Sequence, residues 1–255
     1  MLRNVSVIAA MAACVAAPAF AQSSSGAVNW TGPYVGVNLG YGGGAFNYPY
    51  SGTADAAGTN PVAGILRQSS SGVVGGGQIG YNLETPGGLV MGLETDLDGS
   101  NINGTASFAG VDSLGNASSG DIRSRIDYLG TLRGRVGEAM FNGRFVPYVT
   151  GGLAYGDVRT STGFNCTSCG VEGAAVSNFG SQTTGRTGWT VGAGTDYALT
   201  DHLSFRAEYL YVDLGHQNLA NGASEFEGPG ANVYNANVLA NTNANVMRVG
   251  LNYRF

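Results

Sequence analysis

The sequence predicts an all-β fold: an eight-stranded antiparallel transmembrane β-barrel with short periplasmic turns and long extracellular loops. Three observations predict it. Apolar and polar residues alternate with a period of two in one segment after another. The connections between those segments alternate long and short, and aromatic residues sit on the apolar faces, where a membrane barrel carries its girdles. The last eleven residues, NVMRVGLNYRF, are the cleanest case. Met247, Val249, Leu251, Tyr253 and Phe255 share one face, and Val246, Arg248, Gly250, Asn252 and Arg254 share the other. Lipid tolerates no unpaired edge, so such a strand requires two neighbours in a closed sheet.

Composition narrows the class. The 255 residues include 43 Gly, 13 Tyr and 10 Phe, with 11% charged residues, which is too apolar and aromatic for general disorder. All twelve basic residues are Arg, and the formal charge is -5, which argues against nucleic acid as a partner. Residues 1–21 read as a signal peptide, with Arg3 as the positive start, an apolar run from Val5 to Ala17 and small cleavage-site residues at Ala19 and Ala21. Cys14 after Met11-Ala12-Ala13 weakly resembles a lipoprotein box, but it lies inside the apolar run. Residues 22–30 form a short periplasmic leader ending at Trp30, and 31–255 form the barrel domain. Beyond the signal, no stretch reaches the ~20 apolar residues of a spanning helix.

The strands follow in order. Within 32–46, Val35, Val37, Leu39 and Tyr41 point outward; Tyr34 is out of phase, which suggests a rim position or a bulge. In 72–82, Ile79 and Tyr81 point outward, and Thr85-Pro86-Gly87-Gly88 makes a turn. The third strand, Leu89 to Asp98, opposes Leu89, Met91, Leu93 and Leu97 to Glu94, Asp96 and Asp98. Three carboxylates at alternate positions cannot face hydrocarbon. In the fourth, within 122–138, Tyr128, Leu132 and Val136 point outward and Asp127, Thr131, Arg133 and Arg135 inward. The fifth, Phe145 to Gly156, has small residues at both parities and its phase stays open. The sixth, 188–199, turns Trp189, Val191 and Tyr197 outward and Asp196 inward; the seventh, 203–213, turns Phe205, Tyr209 and Tyr211 outward and Arg206 and Glu208 inward. Segments 47–71, 99–120, 157–187 and 215–243 read as loops.

The inward set is Glu94, Asp96, Asp98, Asp196 and Glu208 against Arg133, Arg135, Arg206, Arg248 and Arg254, with Asp127 a sixth acid near the outer end. A barrel of eight strands has a lumen that side chains just fill, and guanidinium forks can bridge two carboxylates. The pattern is therefore read as a neutral ion-pair plug, with a narrow gated channel as the alternative. Cys166 and Cys169 read as a loop disulfide in an oxidising compartment, since zinc would need two further ligands. The two histidines, His202 and His216, lie in a turn and near an outer strand end; neither pattern supports a catalytic triad, a metal site or a cofactor. Haem ligation by His216, Tyr209, Tyr211 or Tyr234 competes with the girdle role of the tyrosines.

The segments WTGPYVGVNLGYGGG, GGGQIGYNLE, LGTLRGRVG, PYVTGGLAYGDV, TDHLSFRAEYLYVDLG and VMRVGLNYRF resemble the 25 and 31 kilodalton outer membrane immunogenic proteins of alphaproteobacteria. More distantly they are similar to the transmembrane domain of outer membrane protein A. The resemblance implies an abundant surface antigen of the cell outer membrane that contributes to envelope integrity, with a small porin or haem-binding surface protein as the other reading. It implies outer-membrane lipid and lipopolysaccharide as surroundings, and host or phage molecules as partners of the long loops. It also implies that Phe255 serves as a recognition signal for the outer-membrane assembly machinery.

Overall fold

The computed structural model describes residues 28–53, 61–111, 117–166, 176–219 and 235–255. The signal peptide, most of the leader, Cys169 and Tyr234 lie outside the described residues. Eight strands run in chain order: β1 (Gly32–Thr53), β2 (Pro61–Glu84), β3 (Leu89–Val111), β4 (Ala117–Glu138), β5 (Phe145–Cys166), β6 (Val176–Ala198), β7 (Leu203–Leu219) and β8 (Asn235–Arg254). Each pairs antiparallel with its sequence neighbours, and β8 returns to β1, so the sheet closes as a barrel. Val35↔Tyr253 and Tyr41↔Met247 mark the closing register, and Leu203↔Tyr253 ties β8 to β7.

The strands are 17 to 24 residues long, whereas a tilted strand crosses a bilayer in ~9–11. Much of what reads as loop in sequence is therefore strand that continues outward beyond the lipid. The period-two signal fades there because the outward face meets water instead of lipid and turns polar, while the inward face stays buried and backbone pairing continues. Among the described residues, β2–β3 pairing ends at Ser71↔Asn103 and β6–β7 pairing at Trp189↔Asp213. The outer extension thus divides into two four-stranded flaps, β7–β8–β1–β2 and β3–β4–β5–β6. A bulge between Asp213 and His216, with Gly215 at φ 70°, bends β7 at this seam.

The outward face carries Val37, Leu39, Leu93, Leu132, Leu153 and Val249, all exposed. Tyr41, Tyr128, Tyr155, Trp189 and Tyr209 flank it on the outer side, and Tyr81, Tyr197, Phe205 and Phe255 on the periplasmic side. These are the two aromatic girdles of a membrane barrel. The phase of β5 is now fixed: Val146, Tyr148, Ala154 and Val158 are buried inside, while Val149, Leu153 and Tyr155 face out. Tyr148 and Tyr155 are an odd number of residues apart, so a strand must put them on opposite faces. Tyr34 makes no bulge and does not sit at the rim. It is buried at 3% exposure and points into the lumen, in phase with Asn38.

Candidate functional site

The lumen is layered. At its periplasmic base the leader turns under the barrel, where Val28 N donates to Asn142 O at 3.1 Å. Trp30 Nε1 donates to Gly143 O at 2.6 Å, and Trp30 N donates to Glu84 Oε2 at 2.7 Å. The β4–β5 turn is shaped to receive it: Phe141, Asn142 and Gly143 all have positive φ, and a Cβ on Gly143 would lie 2.4 Å from the Val28 carbonyl oxygen. Val28 and Trp30 pack with Val90, Val146 and Ala198. Only the Trp in this polar leader signals that role, and the sequence reading did not assign it.

Above the base lies the charged layer. Arg133, 1% exposed, meets Glu94 at 2.5 Å, Glu208 at 2.8 Å and Asp96 at 2.9 Å. Arg248 joins Glu208 at 2.7 Å, Asp96 at 2.8 Å and Asp98 at 2.9 Å. Arg206 binds Asp196 at 2.7 Å and also pairs with Glu94, and Arg135 binds Asp196 at 2.5 Å. Tyrosines enter the same layer: Tyr34 Oη donates to Glu94, and Tyr148 Oη donates to Glu208 at 2.9 Å. The Arg135 guanidinium lies 3.9 Å from the Tyr148 ring centre. Glycines opposite these rings give them room, since a Cβ on Gly80 would come within 2.5 Å of Tyr34 and one on Gly194 within 2.6 Å of Tyr148.

All eight strands place side chains in or against this layer, β1 through Tyr34 and Asn38, β2 through Gln78 and β5 through Tyr148, so the network ties opposite walls of the barrel together. It joins five carboxylates to four guanidiniums, a formal excess of one negative charge. Two of the expected members are placed differently. Arg254 does face inward and is buried, but its guanidinium donates to the Asp201 carbonyl and lies 4.5 Å from the Trp30 ring centre, so it belongs to the base. Its place at the end of β8 puts it below the acids of the mid-lumen. Asp127 is not a luminal acid. A bulge between Ile126 and Tyr128 shifts its phase, and it pairs with the outward-facing Arg125 at 2.5 Å and Arg159 at 3.4 Å.

Outside the charged layer a third stratum is apolar: Phe46, Val74, Ile102, Ile126, Leu129, Val158, Leu210, Val212, Leu214 and Val246 are buried together. Ile102, Val158 and Leu214 lie beyond the strand ends drawn from sequence, and Phe46, Val212 and Val246 lie within one residue of them, where apolar residues at inward parity carried no signal for a lumen read as polar. Between base and charged layer, Trp30, Tyr34, Asn82, Arg206, Asn252 and Arg254 border a cavity of about 10 Å³, roughly the room one water needs.

The histidine that is described has a structural setting. His202 Nδ1 is 2.9 Å from the Arg254 carbonyl, and its ring stacks on Tyr253 at 5.9 Å. The backbone of His216 lies in β7 and that of Cys166 at the end of β5. Among the described residues no group of three or more His, Cys, Asp or Glu is arranged to hold a metal ion.

The model of the outer membrane protein beta-barrel domain matches residues 7–255. The chain belongs to that family. It is 38% identical to a 31 kDa outer-membrane immunogenic protein of Brucella melitensis over 227 residues, covering 89% of this chain and 84% of the relative. A 25 kDa outer-membrane immunogenic protein of Brucella abortus is 27% identical over 227 residues, covering 89% and 80%. The crystal structure of the outer membrane protein OprG from Pseudomonas aeruginosa aligns with 89% of this chain and 97% of its own, at 18% identity and a TM-score of 0.44. Family membership places this chain in the outer membrane, with its short turns on the periplasmic side.

Proposed function

We propose that this outer-membrane β-barrel is a closed, structural surface protein: its lumen is filled, and its contribution is to the integrity of the outer membrane rather than to traffic through it. The observation that carries the reading is Arg133, held by three carboxylates from β3 and β7 at 2.5–2.9 Å in the middle of the lumen. The apolar stratum above and the Trp30 base below support it, because water crossing the barrel would have to pass all three layers. The immunogenic character named for the Brucella proteins supports an exposed outer surface, through which host molecules or phage would meet this chain.

Phe255 closes the same reading from the assembly side. It ends β8 in the periplasmic girdle at 66% exposure, with its ring 5.2 Å from Tyr253. An aromatic so placed is available to the assembly machinery before the strand is zipped to β1. The test of the structural role is the permeability barrier of whole cells. Loss of the gene sensitises cells to bulky hydrophobic antibiotics, and re-expression restores resistance. An unchanged barrier in the deletion strain would overturn the proposal.

A further inference from the structure

Three arginines of β4 and β5 stand outside the lumen, on the wall above the outer girdle. Arg123 and Arg125 in β4 and Arg159 in β5 alternate with the inward-facing Ser124, Ile126, Val158 and Thr160, so their side chains point away from the barrel axis. Their side chains are 70%, 47% and 49% exposed. Arg125 and Arg159 are direct cross-strand partners. Like charges in that position repel one another, and an arrangement of this kind persists where an anion lies between them. Asp127, set beside them by the β4 bulge, supplies part of that anion with contacts of 2.5 and 3.4 Å. Asp121 touches Arg123 at 3.3 Å. Three guanidiniums are contacted by these two carboxylates, and Arg125 and Arg159 share the single carboxylate of Asp127; counting the nearby Asp157, the wall as a whole balances three bases with three acids. Asp157, the next acid on β5, is engaged by the Tyr128 hydroxyl.

Height decides which anion the patch meets. Arg125 is three residues beyond the girdle residue Tyr128, and Arg159 is four beyond Tyr155. At ~3.3 Å per residue along a strand tilted by ~40°, both lie about 8–10 Å above the aromatic ring, the depth of the headgroup layer outside the hydrocarbon. The neighbouring outward positions are polar as well: Asn103 faces Arg125 from β3, and Thr183 Oγ1 accepts from Arg159 Nε at 3.3 Å. Guanidinium forks match phosphate oxygens in pairs.

We infer that Arg123, Arg125 and Arg159 form a binding site for the phosphate groups of an outer-leaflet glycolipid, with Asp127 bridging the two facing arginines until the phosphate docks. The site rests on the placement in the outer membrane and is independent of whether the lumen conducts. The test uses the folded full barrel in neutral detergent, with diphosphoryl lipid A as the probe and native mass spectrometry as the readout. Replacing all three arginines (R123Q, R125Q and R159Q together) weakens lipid A binding at least tenfold, and R159Q alone gives an intermediate loss. All three positions are exposed, so heat-modifiable gel mobility remains that of the parent and reports intact folding. D127N binds at least as tightly as the parent, because a competing carboxylate is gone. Dephosphorylated lipid A binds parent and triple variant alike. The inference is overturned if the triple variant holds diphosphoryl lipid A within twofold of the parent, or if the parent does not prefer the phosphorylated form. Inorganic pyrophosphate binding as tightly as the lipid would overturn the assignment to a lipid.

Discussion

Arg133→Met removes the most highly connected cation of the lumen while keeping most of its volume. The consequence can be worked from its contacts. Removing one partner of a buried ion pair costs ~3–5 kcal/mol, chiefly because the remaining charge stays buried without its counterion. Here each stranded acid keeps other partners: Glu94 retains Arg206 and Tyr34, Asp96 retains Arg248 and Thr131, and Glu208 retains Arg248 and Tyr148. The loss therefore falls at the lower end, about 3 kcal/mol, or roughly a hundredfold in the folded-to-unfolded ratio. Arg135→Met is the internal control. Arg135 pairs with one carboxylate, Asp196, which keeps two bonds from Arg206, and lies over the Tyr148 ring, so its loss costs about 1–2 kcal/mol. Equilibrium urea unfolding in lipid vesicles measures both. The chain has two tryptophans, Trp30 buried in the base and Trp189 on the lipid face, so single-tryptophan versions of each barrel report base and wall separately by fluorescence. An R133M barrel within about 1 kcal/mol of the parent would refute the reasoning, as would an R135M barrel destabilised as much as R133M.

Other outcomes follow from the same geometry. Trp30→Ala strips the base of its largest side chain and its bond to Gly143, and costs about 3 kcal/mol in the same unfolding assay; limited proteolysis then cuts the leader before the barrel, and equal resistance in parent and variant would contradict the docked leader. Gly80→Ala drives a Cβ against the Tyr34 ring and costs about 1–3 kcal/mol, whereas Gly80→Ala combined with Tyr34→Phe recovers little, because the clash is with the ring carbon as well as the hydroxyl. Deleting Phe255 leaves the unfolding free energy of barrel refolded in vitro within about 1 kcal/mol but lowers the amount inserted in cells severalfold, as read by surface labelling. Normal insertion would leave Phe255 as one more girdle aromatic.

The membrane part of the fold was legible because lipid imposes a sharp rule on every second residue. The closing strand, the outward set of β3 and the acids and arginines of the mid-lumen all obey that rule, so parity alone placed them. What was not legible lies where the rule relaxes. Outside the lipid the outward face turns polar and no longer contrasts with the inward one by composition, so the outer halves of β2, β3 and β6 looked like loops. Asp127 was misplaced because a bulge changes phase by one residue and leaves no mark in composition. Arg254 has the right parity but the wrong height for the acids, and height along a tilted strand is not set by parity. The apolar stratum of Ile102, Val212 and Val246 was missed for a related reason: a small barrel read as polar inside gives no cause to look for a core there. Trp30 could have been found, since a large buried aromatic is an odd end for an otherwise polar leader.

The central claim is that three layers of side chains close this lumen, and single-channel conductance of the folded protein in a planar bilayer tests it most directly. The account predicts no steady unitary current for the parent at any salt concentration. Reproducible steps whose size rises with salt, from protein whose folding is verified by gel mobility, would contradict it.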